Sequence, residues 1–455
     1  MPIACTPYAR VAALVALALA LGGCAGTIAD KGFAEVSALT EPHLGAAPTW
    51  VRTEADTEAA RAALEKLLEP PLGPESAVRV ALIANPGLQA ALAELGIAAA
   101  DLAEASRPPN PGFTFSRISG GGVVETERAV GLDVLGLLTR PFAYRIAERR
   151  FDMAKLRAAS DILAAASEAR RAWVRAVAAA EIARYTGEVS EAAAAQLDLA
   201  RRMRAVGNLP LLDYAREQAF SAETSAALAR ARLAAAVERE QLLRALGLGG
   251  HATPLRLPER LSDLPPEARA DEGLVATALA ERLDVRMARA EVDGLARSLG
   301  LARTTRFVNV LEASYLSAST TGERTRTGYE IVLEVPLFDF GDVRVARAES
   351  VYMQGVHRLS EIALDAQAQT RAAYAGYRAS YEIARRYRDE ILPLRRQISE
   401  EVLLRYNGML ASVFELLADA RDQIAAVIAA IEARRDFFLA EADLDAALIA
   451  GAANP

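Results

Sequence analysis

Apolar and polar residues follow a helical period over most of the chain and a period of two in two short regions, 112–136 and 307–337. In the first region Phe113 and Phe115 alternate with small polar residues, and in the second Tyr329 begins a similar alternation. A stretch of turn-forming residues divides each region. Each of the two regions therefore predicts a β-hairpin with strands of about 8–11 residues. The segment 307–317 is less regular, which indicates a bulge.

Helical periodicity flanks each hairpin in the same order: a moderate helix before it, a very long helix after it, then a break and another helix. The two long helices have about 64 residues and would reach on the order of 95 Å, whereas globular helices average about 11–12 residues. Pro393 lies inside the second long helix and predicts a kink. The predicted helices are 76–106, 142–205, 210–246, 272–303, 343–407 and 412–449.

The order of elements indicates an internal duplication, because short matches recur at a nearly constant distance of about 200 residues. Two structural repeats, 76–250 and 271–450, are joined by a linker, 251–270, that is rich in proline and directly follows a glycine-rich end of the first repeat. The fold class predicted is mainly α with a small β part. The matches are Ala81-Leu-Ile-Ala with Ala278-Leu-Ala-Glu, Glu181-Ile-Ala-Arg with Glu382-Ile-Ala-Arg, Trp173 with Tyr374, and Asp213-Tyr-Ala-Arg with Asp419-Ala-Arg.

The N-terminus has the pattern of an export signal. Arg10 precedes a wholly apolar run that ends at Leu21. A membrane-spanning helix needs roughly 20 residues, so this shorter run predicts a signal peptide over 1–23. The sequence Leu-Gly-Gly before Cys24 resembles the lipobox of bacterial lipoproteins, in which the thiol takes a diacylglycerol. The resemblance predicts that Cys24 carries a lipid. It also predicts that residues 24–75 form a lipid-anchored N-terminal segment. An ordinary signal peptide that contains a cysteine is the alternative.

Composition removes several other classes of function. The formal net charge of −7 gives no basis for nucleic-acid binding. Cys5 lies in the signal peptide, so no disulfide is expected within the mature chain. The histidines lie near no pattern of nucleophile and base, and we expect no enzyme. Met353 and His357 stand one helical turn apart, a spacing that suits Cu(I) but is more typical of packing. The lipid on Cys24 is therefore the only attached group expected.

If the protein crosses a bilayer, the predicted strands must do so, because no segment after the signal is apolar enough for a transmembrane helix. A sheet in lipid must close on itself, since an open edge leaves backbone groups unpaired. Four strands per chain are fewer than the eight of the smallest membrane barrels. Several chains would therefore pool their strands, and this arithmetic leaves two, three or four chains open.

Four motifs in this order resemble the TolC-like outer-membrane efflux proteins, and the resemblance covers residues 76–450. It implies a homotrimer with a shared 12-stranded β-barrel in the outer membrane. Duplicated long-helix hairpins would continue it as a trimeric α-helical barrel in the periplasm. The protein would be a passive exit duct of a tripartite efflux system, with a periplasmic adaptor and an inner-membrane pump as partners. The motifs are Ala81-Leu-Ile-Ala-Asn-Pro-Gly-Leu, Pro109-Asn-Pro-Gly-Phe, Val335-Pro-Leu-Phe-Asp-Phe-Gly-Asp and Ser412-Val-Phe-Glu-Leu-Leu.

The same resemblance implies a pore gate at the periplasmic tips, where the helices reverse direction. Acidic residues just past the second tip would form rings that narrow the pore and select cations. Glu415 matches that position best, then Asp419, and Asp213 in the first copy. Ordinary solvated helix faces are the alternative. The tip departs from the family pattern, because Met409 stands where many relatives have glycine.

Gly207 and Gly408 let the chain reverse at the two tips. The resemblance implies that an adaptor protein docks there. Plain turn chemistry also explains both glycines, and the two interpretations are compatible.

Two alternatives to the efflux channel stay open. A lipid-anchored periplasmic coiled-coil scaffold without a pore would explain the long helices and the lipobox, but not the paired hairpins. An exit duct for type I protein secretion would share the whole architecture. Drugs, metal ions and proteins all fit such a duct, so the sequence leaves the cargo open.

Overall fold

The computed structural model describes residues 24–249, 255–270, 272–307, 310–334, 338 and 340–451. The chain is mainly helical with one four-stranded antiparallel sheet, which confirms the predicted fold class. The predicted signal peptide, 1–23, lies outside the described residues. The elements are α1 Cys24–Leu44, α2 Glu54–Leu68, α3 Pro74–Ala84, α4 Pro86–Ala105, β1 Gly112–Gly120, β2 Val123–Asp133, α5 Val134–Ala205, α6 Leu211–Leu246, α7 Leu274–Glu281, α8 Leu283–Thr304, β3 Val310–Thr320, β4 Arg326–Glu334, α9 Asp342–Arg386, a π-helical segment Tyr387–Ile391, α10 Leu392–Asn407 and α11 Val413–Ile449.

The chain divides into two compact units. The sheet unit comprises residues up to 39, 91–159 and 283–364, and the helical unit comprises 40–90, 160–282 and 365 onwards. The sheet lies in the first unit and both helix reversals lie in the second.

The four strands pair in chain order, so that the two predicted hairpins join each other through β2 and β3. The first hairpin reverses at Gly121 and Gly122, which both have positive φ, the conformation of a two-residue hairpin turn. The register is continuous over β3, and the bulge predicted there is absent from 310–320.

The first long helix begins earlier than predicted, at Val134 instead of residue 142, and the hairpin assigned to 112–136 ends at Asp133. The Asp133 carboxylate accepts a hydrogen bond from the Gly136 backbone N–H at 2.8 Å. This bond satisfies one of the free N–H groups at the helix start. Alternating apolar residues cannot show that a strand turns into a helix at this point, so Val134 was wrongly placed on the strand.

The moderate helices predicted at 76–106 and 272–303 are each two helices. They break at Asn85 and at Arg282, which both have non-helical backbone. At the first break α3 and α4 are bent by 51°. Pro86 disfavours the helical conformation for the residue before it, because its ring clashes with that residue's backbone. Arg282 has no proline after it, and the sequence therefore gave no sign of the second break.

Each break is tied to the end of a later helix in the helical unit. The Asn85 side-chain amide donates to the Ala245 carbonyl oxygen at 2.9 Å. The Arg282 guanidinium donates to the Ala447 carbonyl oxygen at 3.2 Å. Both carbonyls belong to the last turn of their helix, where backbone acceptors have no partner within the helix. The two bonds occupy equivalent places in the two repeats.

A second pair of bonds repeats in the same way. Trp173 on α5 donates its indole N–H to the Leu72 carbonyl oxygen at 2.7 Å. Tyr374 on α9, its match in the second copy, donates its hydroxyl to the Arg269 carbonyl oxygen at 3.3 Å. The structure thus places the two matched aromatics in equivalent contacts.

The second long helix changes its hydrogen bonding immediately before Pro393. Residues Tyr387–Ile391 form a π-helical segment in which the Leu392 N–H donates to the Tyr387 carbonyl oxygen. Proline has no N–H, and one wider turn is a known way to accommodate the break in the ladder. A π-helical segment therefore lies at the position where a kink was predicted, and the kink itself stays a prediction.

Among the described helices, none alone combines the length and apolar character of a membrane span; α3 and α4 reach that composition only as a bent pair.

Candidate functional site

Both tips of the helical unit end their long helix in the same way. The Asn208 N–H donates to the Met203 carbonyl oxygen, and the Leu410 N–H to that of Arg405, at 2.9 and 2.8 Å. This pattern requires the residue directly before the donating N–H to adopt the left-handed conformation. At the first tip that residue is Gly207, with φ of 81°.

At the second tip the left-handed residue is Met409, with φ of 58°, while Gly408 has φ of −82°. The prediction that Gly408 makes the reversal is therefore wrong. The bonds at the helix end fix which residue must be left-handed, and at this tip that residue is Met409. A side chain in this conformation costs roughly 1–2 kcal/mol.

Apolar side chains project from both tips into solvent. Met409 is 93% exposed and Leu410 is 81% exposed. Val206, Leu211 and Leu212 are exposed at the first tip. Docking of an adaptor at Gly207 and Gly408 stays a prediction.

Glu415 is the third residue of α11 and closes its N-terminus. Its carboxylate accepts from the Ser412 N–H at 2.7 Å, while its own N–H donates to the Ser412 hydroxyl at 3.2 Å. This reciprocal pair is a capping box. The side chain predicted as the gate is thus exposed and engaged in capping its own helix.

Asp213 is the third residue of α6 and therefore the equivalent of Glu415. The sequence analysis matched Asp213 with Asp419, and this match is wrong. The motifs Asp213-Tyr-Ala-Arg and Asp419-Ala-Arg begin at different distances from the tips of their repeats. Asp213 pairs with Arg216 at 3.2 Å. The equivalent of Asp419 is Glu217, which sequence reasoning missed, although a constant distance of about 202 residues points to it.

Glu217 is 5% exposed and accepts from the Gln196 amide on α5 at 3.1 Å. Its second oxygen is buried and has no hydrogen-bond partner among the described residues. Burial raises the pKa of Glu217 and the charge of Asp213 adds to this, while the Gln196 bond opposes it. This carboxylate is held in an environment that favours its neutral form.

Asp419 lies in the same setting in the second copy. Its carboxylate accepts from the Ser399 hydroxyl on α10 at 2.6 Å. The other oxygen is buried and has no partner in the part of the chain that the structure describes. Each tip therefore has two carboxylates one turn apart, of which the second faces the long helix and is only half satisfied.

Two contacts of one kind join α6 to α11 just above the tips. The Arg216 guanidinium lies 5.1 Å from the centre of the Phe414 ring, and that of Arg421 lies 5.4 Å from the centre of the Phe220 ring. Cations attract the faces of aromatic rings at such distances. The pairs hold the two copies together beside the acidic groups.

The sheet has two chemically different faces, because side chains alternate along each strand and the register aligns them across strands. One side, which we call the aromatic face, is exposed although its half toward the helices is apolar, and Tyr329 is 82% exposed on it. Toward the helices this face consists of Phe113, Phe115, Val130, Leu132, Leu311, Ala313, Tyr315, Tyr329, Ile331 and Leu333.

The opposite side, the acidic face, carries every carboxylate of the four strands. Asp133 lies directly opposite Glu312, and like charges so close repel each other unless water or cations screen them. The carboxylates of this face are Glu125, Glu127, Asp133, Glu312, Glu330 and Glu334.

The remaining predicted positions form no site of their own. Cys24 is the first residue of α1, and its lipidation stays a prediction. Met353 and His357 are both exposed on α9. In the described part of the chain, no three histidine, cysteine or acidic side chains are placed to hold a metal ion.

No protein-family model matches the chain, and no curated relative was found. Solved structures do match. CusC, described as forming a transmembrane channel, has a TM-score of 0.69 and 14% identity, covering 83% of this chain and 92% of that one. The outer membrane protein VceC of Vibrio cholerae has a TM-score of 0.67 and 17% identity, covering 85% and 96%.

The CmeC outer membrane channel of Campylobacter jejuni matches with a TM-score of 0.66 and 16% identity, over 87% of this chain and 86% of that one. These neighbours are channel proteins and not enzymes. Matches of this extent at such low identity establish the architecture. The chain has the fold of the TolC-like outer-membrane channels.

Proposed function

We propose that this protein is one subunit of an outer-membrane channel that serves as the passive exit duct of a tripartite efflux system. The observation that carries the proposal is the division of the sheet into an exposed aromatic face and an exposed acidic face. An apolar sheet face of this size is unfavourable in water and favourable against lipid. The acidic face has the opposite preference and suits a water-filled pore.

Closure of the sheet requires other copies of the chain. The outer edges of β1 and β4 have no neighbouring strand within the described part of the chain. Open edges are not tolerated in hydrocarbon, since each unpaired backbone group costs several kcal/mol. Three chains would supply twelve strands, the number that the family resemblance implies. In this proposal the trimer is anchored further by lipid on Cys24.

The tips of the helical unit supply the gate in this proposal. A three-fold assembly would bring together three copies of Asp213, Glu217, Glu415 and Asp419. Converging carboxylates repel each other and attract cations. A periplasmic adaptor would hold the exposed apolar tips apart, and an inner-membrane pump would supply energy and select the substrate. Cargo then diffuses through an open tunnel.

The test is electrical recording of the full chain in planar lipid bilayers. We expect the wild type to give small cation-selective conductance steps. The double variant E415Q/D419N keeps side-chain size while it removes two charges per chain, and should raise conductance about twofold or more and lower cation selectivity. The control E58Q/E65Q removes two exposed charges from α2 and should behave as wild type.

Two results would contradict the proposal in different ways. A folded, membrane-inserted wild type without conductance would favour the lipid-anchored scaffold without a pore. Equal conductance and selectivity in E415Q/D419N and wild type would leave the channel in place but remove the gate assignment from these carboxylates.

A further inference from the structure

The aromatic face of the sheet changes character along its strands. Toward the helices it is wholly apolar, but toward the hairpin turns it carries mainly hydroxyl groups and two arginines, Arg117 and Arg128. Among the described strand residues, these arginines are the only charged ones on this face. The turn-proximal half consists of Arg117, Ser119, Val124, Thr126, Arg128, Ser317, Ser319 and Thr327.

The register places the two arginines side by side. Arg117 on β1 is paired with Thr126, and Arg128 follows two residues later on β2. Residues in this diagonal relation have Cα atoms about 7–8 Å apart, within reach of one another's long side chains. Ser317 faces Arg128 from the other side, so that a hydroxyl donor borders the pair.

Neither Arg117 nor Arg128 forms an ion pair with a carboxylate in the part of the chain that the structure describes. The strand carboxylates all lie on the acidic face, including Glu125 and Glu127 next to Arg128 on β2. By contrast, Arg326 lies on the acidic face at the same end of the sheet and is paired with Glu323. Two exposed guanidinium groups on a lipid-facing surface need an anion from outside the chain.

We propose that Arg117, Arg128 and the surrounding hydroxyls bind the phosphate-bearing head groups of anionic lipids in the outer leaflet. The inference rests on the proposed function, in which the aromatic face contacts lipid and the hairpin turns point away from the periplasmic helices. The apolar half of the face then contacts acyl chains, and the arginines lie at the depth where head groups begin. Guanidinium groups bind phosphate through paired, charge-assisted hydrogen bonds.

The experiment measures binding of a fluorescent lipid A, a lipid with phosphate on its head group, to the full chain in phosphatidylcholine nanodiscs. We expect R117Q/R128Q to weaken binding about tenfold, since two charge-assisted contacts are lost per chain. R324Q/R326Q removes the same number of charges from the second turn and should change binding less than about twofold.

Several outcomes would overturn the inference. One is equal weakening in both double variants, which would show a general charge effect. Another is competition by inorganic phosphate as strong as that by lipid A, which would indicate a free-anion site. A wild type that conducts ions but does not bind lipid A would refute the lipid site alone. A wild type that neither conducts nor inserts would refute the proposed function and the lipid site with it.

Discussion

The two helix repeats of the helical unit share their geometry but use different side chains to achieve it. In the first copy the helix break is tied by the amide of Asn85, and in the second by the guanidinium of Arg282. Trp173 and Tyr374 likewise donate to equivalent carbonyls with different groups. A duplicated fold thus requires that certain backbone acceptors be satisfied, but leaves the choice of donor open.

The same comparison shows where equivalent residues of the two repeats contribute differently to the stability of the fold. Glu181 of the first copy is buried and paired with Arg434 at 2.5 Å. Its match, Glu382, is only half-buried and pairs with Arg385 on its own helix at 2.9 Å. The first tip has no side-chain cap on α6, whereas Ser412 and Glu415 cap α11. Equivalent positions therefore contribute unequally to stability, and this inequality can be measured.

The largest expected difference is at the two helix breaks. Arg282 is 1% exposed and also donates to Gln369 at 2.8 Å. R282A leaves a cavity and buried acceptors without donors, and should lower the free energy of unfolding by about 3 kcal/mol. N85A removes smaller contacts at a half-buried site and should cost about 1–2 kcal/mol. Denaturant unfolding of the detergent-solubilised chain measures both changes in the free energy of unfolding. Equal changes in R282A and N85A would refute the expected difference between the two breaks.

The next difference concerns the buried carboxylate of the first tip. Because burial raises the pKa of Glu217 in the folded state, the folded chain binds this proton more tightly than the unfolded one. The stability contributed by Glu217 is thus fully present below the ordinary pKa of 4.5 and is lost as pH rises through the raised value. E217Q should therefore be more stable than wild type at about pH 8, by on the order of 1 kcal/mol.

Thermal unfolding of E217Q and wild type at about pH 4 and about pH 8 measures this effect. The two curves should converge at the lower pH. E58Q, at an exposed glutamate of α2, should match wild type at both values. A constant gap between E217Q and wild type at both pH values would show that packing, and not the carboxyl proton, is responsible.

The smallest difference is in the backbone of the tips. M409G relieves the left-handed strain and should stabilise the second tip by about 1 kcal/mol. G207A introduces the same strain at the first tip and should cost about as much, while G408A should stay within about 0.5 kcal/mol. Hydrogen exchange of the tip amides reports each change. A larger effect of G408A than of M409G would contradict the assigned turn.

The sequence predicted those features that arise from local periodicity. The hairpins followed from alternation around Phe113 and Tyr329, and the long helices from sustained helical spacing. The break at Asn85 was signalled by the proline that follows it, but not recognised within the helical pattern. The break at Arg282 had no such signal, because a bond to a carbonyl 165 residues away holds it in place.

The candidate site was predictable only in part for a similar reason. Glu415, Asp419 and Asp213 were singled out by resemblance, and the structure places all three just past the tips. Glu217 was missed because its significance comes from burial against α5, which one helix pattern does not reveal. Met409 was passed over for Gly408, since glycine is the residue expected at a left-handed position.

The most direct test of the central claim compares two neighbours on β4 that lie on opposite faces of the sheet. Spin labels are attached in Y329C and E330C, and the chain is reconstituted in bilayers. Their access to oxygen, which concentrates in lipid, and to a water-soluble nickel chelate is then measured. The account predicts that the label in Y329C meets mainly oxygen and the label in E330C mainly the chelate. Equal access of both labels to the chelate would contradict it.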